Sequence, residues 1–301
     1  MAGLSMKNNR RIQERLVAVG FVLPAFILFC VFSWWPIIRG FIISFQKYHP
    51  TKIPTWCGLD NFKVLFDDPL FFTAWWNVIY FVFLALLIGY FVPIVLAITI
   101  NEMRHLRSYF RIGYYLPAIL PLVVVAIMWK WFYRPQEGLF NYFLNIIHLP
   151  VQGWLNDPHL AMFSIVLMAT WKGAGATTII YLASLQSIPE DLYEAAEIDG
   201  ASLLRRIWHI TLPQISPVML IILILQIIGT FQVFAEPFIM TDGGPNNATL
   251  TVMLLIYRYA FKYYDMGVAA AMGLTLFIVL LVFTIIYFRI TKKLGLDKTA
   301  A

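Results

Sequence analysis

Five acidic residues, Glu190, Asp191, Glu194, Glu197 and Asp199, fall within ten positions, interleaved with Ala195 and Ala196 and followed by Gly200. Acids at the start of a short helix complement its positive end, and small side chains let another surface come close. A second set is sparse and embedded in apolar sequence: Lys172 and Glu236, with Gln226 and Thr230 upstream of the latter. Charged groups in such surroundings usually face a cavity or a partner. Gln226, Gly229, Thr230, Val233 and Glu236 recur at helical spacing, which predicts one polar stripe with Gln232 at its margin. Hydroxyl-rich ligands need such donors and acceptors, and sugar rings favour aromatic faces, so Trp171 and Phe231 are candidate neighbours. The competing reading makes Lys172 and Glu236 helix–helix glue near an interface.

The elements that must position these groups follow from composition. Of 301 residues, 60% are hydrophobic and only 13% charged, against about 25% charged in a soluble domain. That excludes a soluble globule and, for the opposite reason, a disordered chain. Cys30 and Cys57 are the only cysteines, one in an apolar run and one in a polar loop, so a disulfide scaffold is excluded. Six runs are long enough to cross a bilayer as helices: 16–38, 72–100, 112–132, 161–185, 218–240 and 268–287. Pro24, Pro93, Pro117 and Pro121 lie inside them, as spanning helices tolerate. The first run exceeds a signal-peptide core and lacks a small-residue cleavage site, so it is expected to be a retained helix. Trp34, Trp35, Trp75, Trp76, Trp129 and Trp131 near span ends read as interfacial anchors.

Around the acidic segment, Ser187 is the expected N-cap, Pro189 suits the first turn and Gly200 the left-handed stop. A second short helix is expected to carry Leu203, Leu204, Ile207 and Ile210 on one face, with Arg205 and Arg206 toward water or headgroups. Pro213 and Pro217 are expected to end it before the fifth span. By residues alone, the segment reads either as an amphipathic interfacial loop or as a docking element for a cytoplasmic partner.

Bond-making chemistry has little support. The longest connections run to about 25–35 residues, too short for an independent core. There is no G-x-x-x-x-G-K-[ST], G-x-S-x-G, H-E-x-x-H or C-x-x-C, and His49, His105, His148, His159 and His209 lack metal-ligand spacing. No catalytic residue and no metal site are expected. Thirteen of the 22 lysines and arginines fall on the side shared by both termini, including Lys7, Arg10, Arg11 and Arg15 and the loop residues Arg104, Arg107 and Arg111. Both termini are therefore expected in the cytoplasm. The net charge of +6 reflects this topology, and no basic patch suggests nucleic acid.

Glu194-Ala195-Ala196, Asp199-Gly200-Ala201 and Ile210-Thr211-Leu212-Pro213 together resemble the EAA loop of permease subunits in binding-protein-dependent ABC importers. Gly58-Leu59-Asp60-Asn61-Phe62, Leu182–Pro189 and Thr241-Asp242-Gly243-Gly244-Pro245 are similar to the carbohydrate-uptake branch, in its first maltose-type or glycerol-phosphate-type permease group. The resemblance runs from about Leu16 to Lys293, with one departure at Asp242, where the family more often has glycine. It implies an all-α, six-helix type I importer transmembrane domain spanning 16–290, with a coupling loop at 187–213, a cytoplasmic segment at 1–15 and a cytoplasmic tail at 291–301.

The resemblance further implies that Glu194, Ala195, Ala196, Asp199 and Gly200 couple to an ATPase. The expected partners are a second homologous permease, two ATPase subunits and an extracytoplasmic solute-binding protein. The expected substrate is a sugar, oligosaccharide or polyol derivative, moved across the bacterial plasma membrane. This chain would carry no cofactor, ATP and Mg being held by the ATPase chains. The rivals are an integral membrane enzyme acting on a lipid or glycosyl substrate, which would need clustered acids or histidines at one face, and an ion channel, which would need a filter loop or charge rings.

Overall fold

The computed structural model describes the backbone of residues 2–103 and 107–293, and the side chains of 16–103 and 109–293. The basic residues Lys7, Arg10, Arg11, Arg15, Arg104, Arg107 and Lys298, and most of the 291–301 tail, lie outside the described side chains. The chain divides into two compact units. One comprises residues up to Leu65 with Tyr259–Leu274, the other Phe66–Arg258 with the chain from Thr275 onward.

Among the described residues, five helices are long and apolar enough to cross a membrane: Leu16–Ile43, Pro69–Glu102, Ala161–Leu185, Leu203–Phe231 and Met266–Lys293. A sixth span is a bent pair, Tyr109–Ile119 and Leu122–Phe132, meeting at 99°. The third span is thus no straight helix over 112–132. Pro117 and Pro121 flank the corner, where Leu120 N–H still reaches the Pro117 carbonyl at 3.3 Å.

Elsewhere prolines are carried through. A proline at position i offers no N–H to the carbonyl at i−4 and crowds it. Pro36, Pro93 and Pro213 would leave Phe32, Gly89 and His209 in this state, and each of those residues lies in a π-helical stretch, at Cys30–Trp34, Ala85–Tyr90 and Ile207–Thr211. The widened turn relieves the clash without ending the helix. Pro217 frees the Pro213 carbonyl in turn, and the Ser216 hydroxyl donates to it at 2.8 Å. The expectation that Pro213 and Pro217 end a separate helix is therefore corrected: the helix runs unbroken from Leu203 into the fifth span.

That span also stops earlier than expected. It ends at Phe231, and a short helix, Ala235–Thr241, follows after a break at 232–234. Pro237 cannot serve the Val233 carbonyl, which instead accepts the Thr251 hydroxyl at 2.9 Å. With that bond supplied from elsewhere in the chain, the helix has no need to continue.

In the larger unit the second, fourth and fifth spans pack around Tyr90, Ile94, Ala97, Tyr181, Leu185, Ile215 and Ile222. The first half of the bent span lies on the fourth at Gly175, where a Cβ would collide with the Tyr114 carbonyl oxygen. Below Phe132, the buried Asn141 organises the connection: its amide donates to the Pro135 and Gln152 carbonyls and its oxygen accepts from the Trp154 indole at 2.9 Å. In the smaller unit a short hairpin, Gln46–Lys47 with Thr55–Trp56, is held by Asn61, whose amide donates to the Ser44 and Gln46 carbonyls at 2.9 Å.

Candidate coupling helix and polar cavities

The acidic segment folds as a helix, Glu190–Ile198. Pro189 precedes it with an extended ψ, and Glu190 and Asp191 occupy the first turn. Ser187 is not the N-cap: its hydroxyl donates back to the Ser184 carbonyl at 2.7 Å, finishing the fourth span. At the other end Gly200 has φ +74°, Gly200 N–H reaches Glu197 and Ala201 N–H reaches Ala196. That pair of bonds is a Schellman closure, which requires the left-handed residue that glycine supplies.

Two side-chain links tie this helix to the base of the fifth span. The Arg206 guanidinium bonds the Glu197 carboxylate, and the Tyr193 and Thr211 hydroxyls meet at 3.1 Å. Arg206 is thus turned toward the acidic helix rather than to water, with its side chain only 18% exposed. Leu203 and Leu204 are exposed, as are Trp208 and Ile198. Glu194, Ala195, Asp199 and Gly200 are exposed and Ala196 half-buried. The result is a rigid, acidic, small-residue surface bordered by uncovered apolar side chains.

The second set of groups lies around two adjoining cavities. One, of about 330 Å³, is bounded by the second, fourth and fifth spans and includes Gln226, Thr230, Thr170 and Thr177. The other, of about 400 Å³, includes Thr230, Gln232, Glu236, Phe81 and Phe234. Phe81, Ala169 and Thr230 line both. Gln226 Nε2 donates to the Ala85 carbonyl at 2.8 Å, at the start of the π-helical stretch. Gly89 leaves room for this: a Cβ there would stand 3.1 Å from Gln226 Nε2 and 3.2 Å from Thr170 Oγ1. Thr230 bonds its own helix, to the Gln226 carbonyl at 2.8 Å.

Gln226, Thr230 and Glu236 therefore line adjoining cavities, although not as one helical stripe, because the break at 232–234 lies between Thr230 and Glu236. The other candidates fall elsewhere. Lys172 is half-buried and lines neither cavity, and among the described residues it forms no ion pair with Glu236. Trp171 packs on Trp129, with ring centroids 5.7 Å apart, and faces a separate apolar cavity with Tyr109, Phe110 and Tyr114. Phe231 is buried against Phe283 at 5.5 Å. It lines neither cavity. Sequence reasoning missed Thr170, Gly173 and Thr177, whose helical spacing was a usable signal, and Phe81 and Phe234, which carried none.

Beyond the short helix, the turn at 241–245 is closely tied. Asp242 takes the left-handed conformation, φ 48°, which its short polar side chain tolerates. Its carbonyl accepts from Arg258 Nη2 at 2.6 Å. Thr249, fully buried, bonds the Thr241 hydroxyl and the Gly244 carbonyl at 2.7 Å each, and Asn77 of the second span donates to the Asn247 and Leu250 carbonyls.

Residues 89–295 match the family model described as "Binding-protein-dependent transport system inner membrane component". This chain belongs to that family. The transport permease is 36% identical over 274 residues to the arabinooligosaccharides transport system permease protein AraP of Bacillus subtilis (strain 168), covering 90% of this chain and 87% of that one. It is 33% identical over 293 residues to the trehalose/maltose transport system permease protein MalF of Thermococcus litoralis, covering 95% and 99%. A bacterial ABC transporter that imports the acidic polysaccharide alginate contains a chain superposing with a TM-score of 0.85, at 28% identity, over 95% of this chain and 99% of that chain. A chain of a bacterial alginate ABC transporter solved in complex with an alginate pentasaccharide-bound periplasmic protein superposes equally well, with a TM-score of 0.85 at 28% identity over 95% of this chain and 97% of that chain. The family and these relatives make the chain a multi-pass membrane transport component and not an enzyme.

Proposed function

We propose that this permease takes up a sugar, oligosaccharide or related polyol derivative across the bacterial plasma membrane, by alternating access driven in trans. Both termini lie in the cytoplasm. The observation that carries this reading is the exposed helix Glu190–Ile198, closed by Gly200 and braced by Arg206 and Tyr193 against the base of the fifth span. A helix so fixed transmits a push along the span it is tied to, whereas a floppy loop would absorb it. Glu194, Ala195, Ala196, Asp199 and Gly200 form the face offered to a nucleotide-driven partner.

The chain itself holds no P-loop, so ATP and Mg belong to two separate ATPase subunits. A second homologous permease completes the path, and an extracytoplasmic binding protein delivers substrate. Gln226, Thr230 and Glu236 contribute polar contacts to that path. Lys172, Trp171 and Phe231, placed off the two cavities, have no part in it in this conformation. The test is purification of the complex under mild conditions, identification of co-eluting chains and ATP-dependent uptake after reconstitution. Absence of any ATPase chain from the complex would overturn the reading.

A further inference from the structure

The two cavities differ from an ordinary water-filled seam in their chemistry. The larger holds three polar side chains, Thr230, Gln232 and Glu236, beside two aromatic rings, Phe81 and Phe234. Phe234 is held in place by stacking on Phe238 at 5.2 Å and by Tyr257 at 5.3 Å. Ring faces with donors and acceptors at their edges suit a pyranose or furanose, whose C–H faces are apolar and whose rim carries hydroxyls.

Glu236 is the one charged group among the described residues lining either cavity; no lysine, arginine or histidine lines them. Lys130 and Arg134 line a separate cleft of about 840 Å³, where Lys130 Nζ donates to the Ile239 carbonyl at 3.3 Å. Glu236 is half-buried and stands in the first turn of the helix Ala235–Thr241, on the wall of the larger cavity. A carboxylate accepts hydrogen bonds from two vicinal hydroxyls and has no donor to give an anion. Like charges a few ångströms apart in a half-buried site repel strongly enough to cost roughly tenfold or more in affinity.

We propose that Glu236 is a specificity-determining residue that makes this cavity a subsite for an uncharged saccharide and discriminates against uronate, sulfonated or phosphorylated ones. The inference rests on the permease reading above and narrows its substrate class. It sets this chain apart from a subsite built for an acidic polysaccharide, which would need guanidinium or ammonium groups where Glu236 stands.

The test uses the assembled complex, with its partner permease and ATPases, in lipid nanodiscs. Equilibrium binding is measured for two trisaccharides of equal length, neutral maltotriose and the uronate triguluronate. Wild type should bind maltotriose at least about tenfold more tightly. Glu236→Gln should weaken maltotriose and strengthen triguluronate, shrinking the ratio about fivefold or more. Arg134→Gln, which removes a charge from the separate cleft, should leave the ratio as it is. Size-exclusion profiles and Tm of each variant complex confirm assembly. Equal or tighter binding of triguluronate by wild type overturns the proposal, as does an unchanged ratio in Glu236→Gln. So does a complex that imports substrate yet binds neither probe. A complex that fails to retain ATPases or to couple ATP to uptake counts instead against the permease reading.

Discussion

The guanidinium of Arg206 bonds the carboxylate of Glu197 across the Gly200 turn, joining the acidic helix to the first turn of the fifth span. Glu197 is 63% exposed, so the pair contributes little to stability, about 0–1 kcal/mol for such pairs. Its value is geometric. Glu197→Gln should leave Tm of the complex within a degree or two while lowering ATP-coupled uptake several-fold. The charge-reversed pair Glu197→Arg with Arg206→Glu should recover part of that loss. Uptake and ATPase rates measured on the same preparations check this, and full coupling in Glu197→Gln would remove the bracing role.

Gly200 tests the turn itself. A Cβ there meets nothing within 4 Å, so only the backbone conformation, φ +74°, resists a side chain. A non-glycine residue in this region costs about 1–2 kcal/mol, and a β-branched one more. Gly200→Val is expected to insert and assemble but to transport poorly, while Gly200→Asn, which tolerates the conformation, should retain most uptake. Normal ATP-coupled uptake by the valine variant would show that the turn is dispensable.

Gln226 combines a structural bond with a place on a cavity wall. Gln226→Leu removes the 2.8 Å donation to the Ala85 carbonyl, at a cost of about 0.5–1.5 kcal/mol for a hydrogen bond lost. Thr230→Val removes only a hydroxyl that bonds its own helix. The expected split is lower Tm and lower uptake in the first variant, and unchanged Tm with lower uptake in the second. Unchanged uptake in Thr230→Val would take Thr230 out of the substrate path.

Phe231 gives the opposite split. It is buried against Phe283 and lines neither cavity. Phe231→Ala should destabilise by about 3–5 kcal/mol, as large-to-small core changes do. Phe231→Leu should cost less and leave the KM for uptake unchanged. A KM shift of several-fold in the leucine variant would return this ring to the translocation path.

Most span positions and the acidic helix were legible because they rest on local signals: long apolar runs, an acidic first turn, a glycine at the stop. The fourth span, Ala161–Leu185, matches its sequence range to the residue. The lining of the two cavities was half legible. Gln226, Thr230 and Glu236 stand out as polar residues in apolar sequence, but helical spacing placed them on one stripe that the structure interrupts. Trp171 and Phe231 were drawn in by their chemistry alone, and nothing local reveals that Trp129 and Phe283 hold them away from the cavities.

The prolines show where the division lies. The sequence by itself determines which carbonyls lose their helical donor, among them Phe32, Gly89, His209, Pro213 and Val233, each four residues before a proline. It cannot say what replaces the missing bond. At three of them the helix widens and continues, and at Pro213 the adjacent Ser216 hydroxyl serves. At Val233 the donor is Thr251, eighteen residues away in sequence, and there the helix ends and Glu236 swings onto the cavity wall. Local chemistry creates the vacancy in every case, and the choice between a bent, a continued and a broken span belongs to whichever donor the tertiary packing brings within reach.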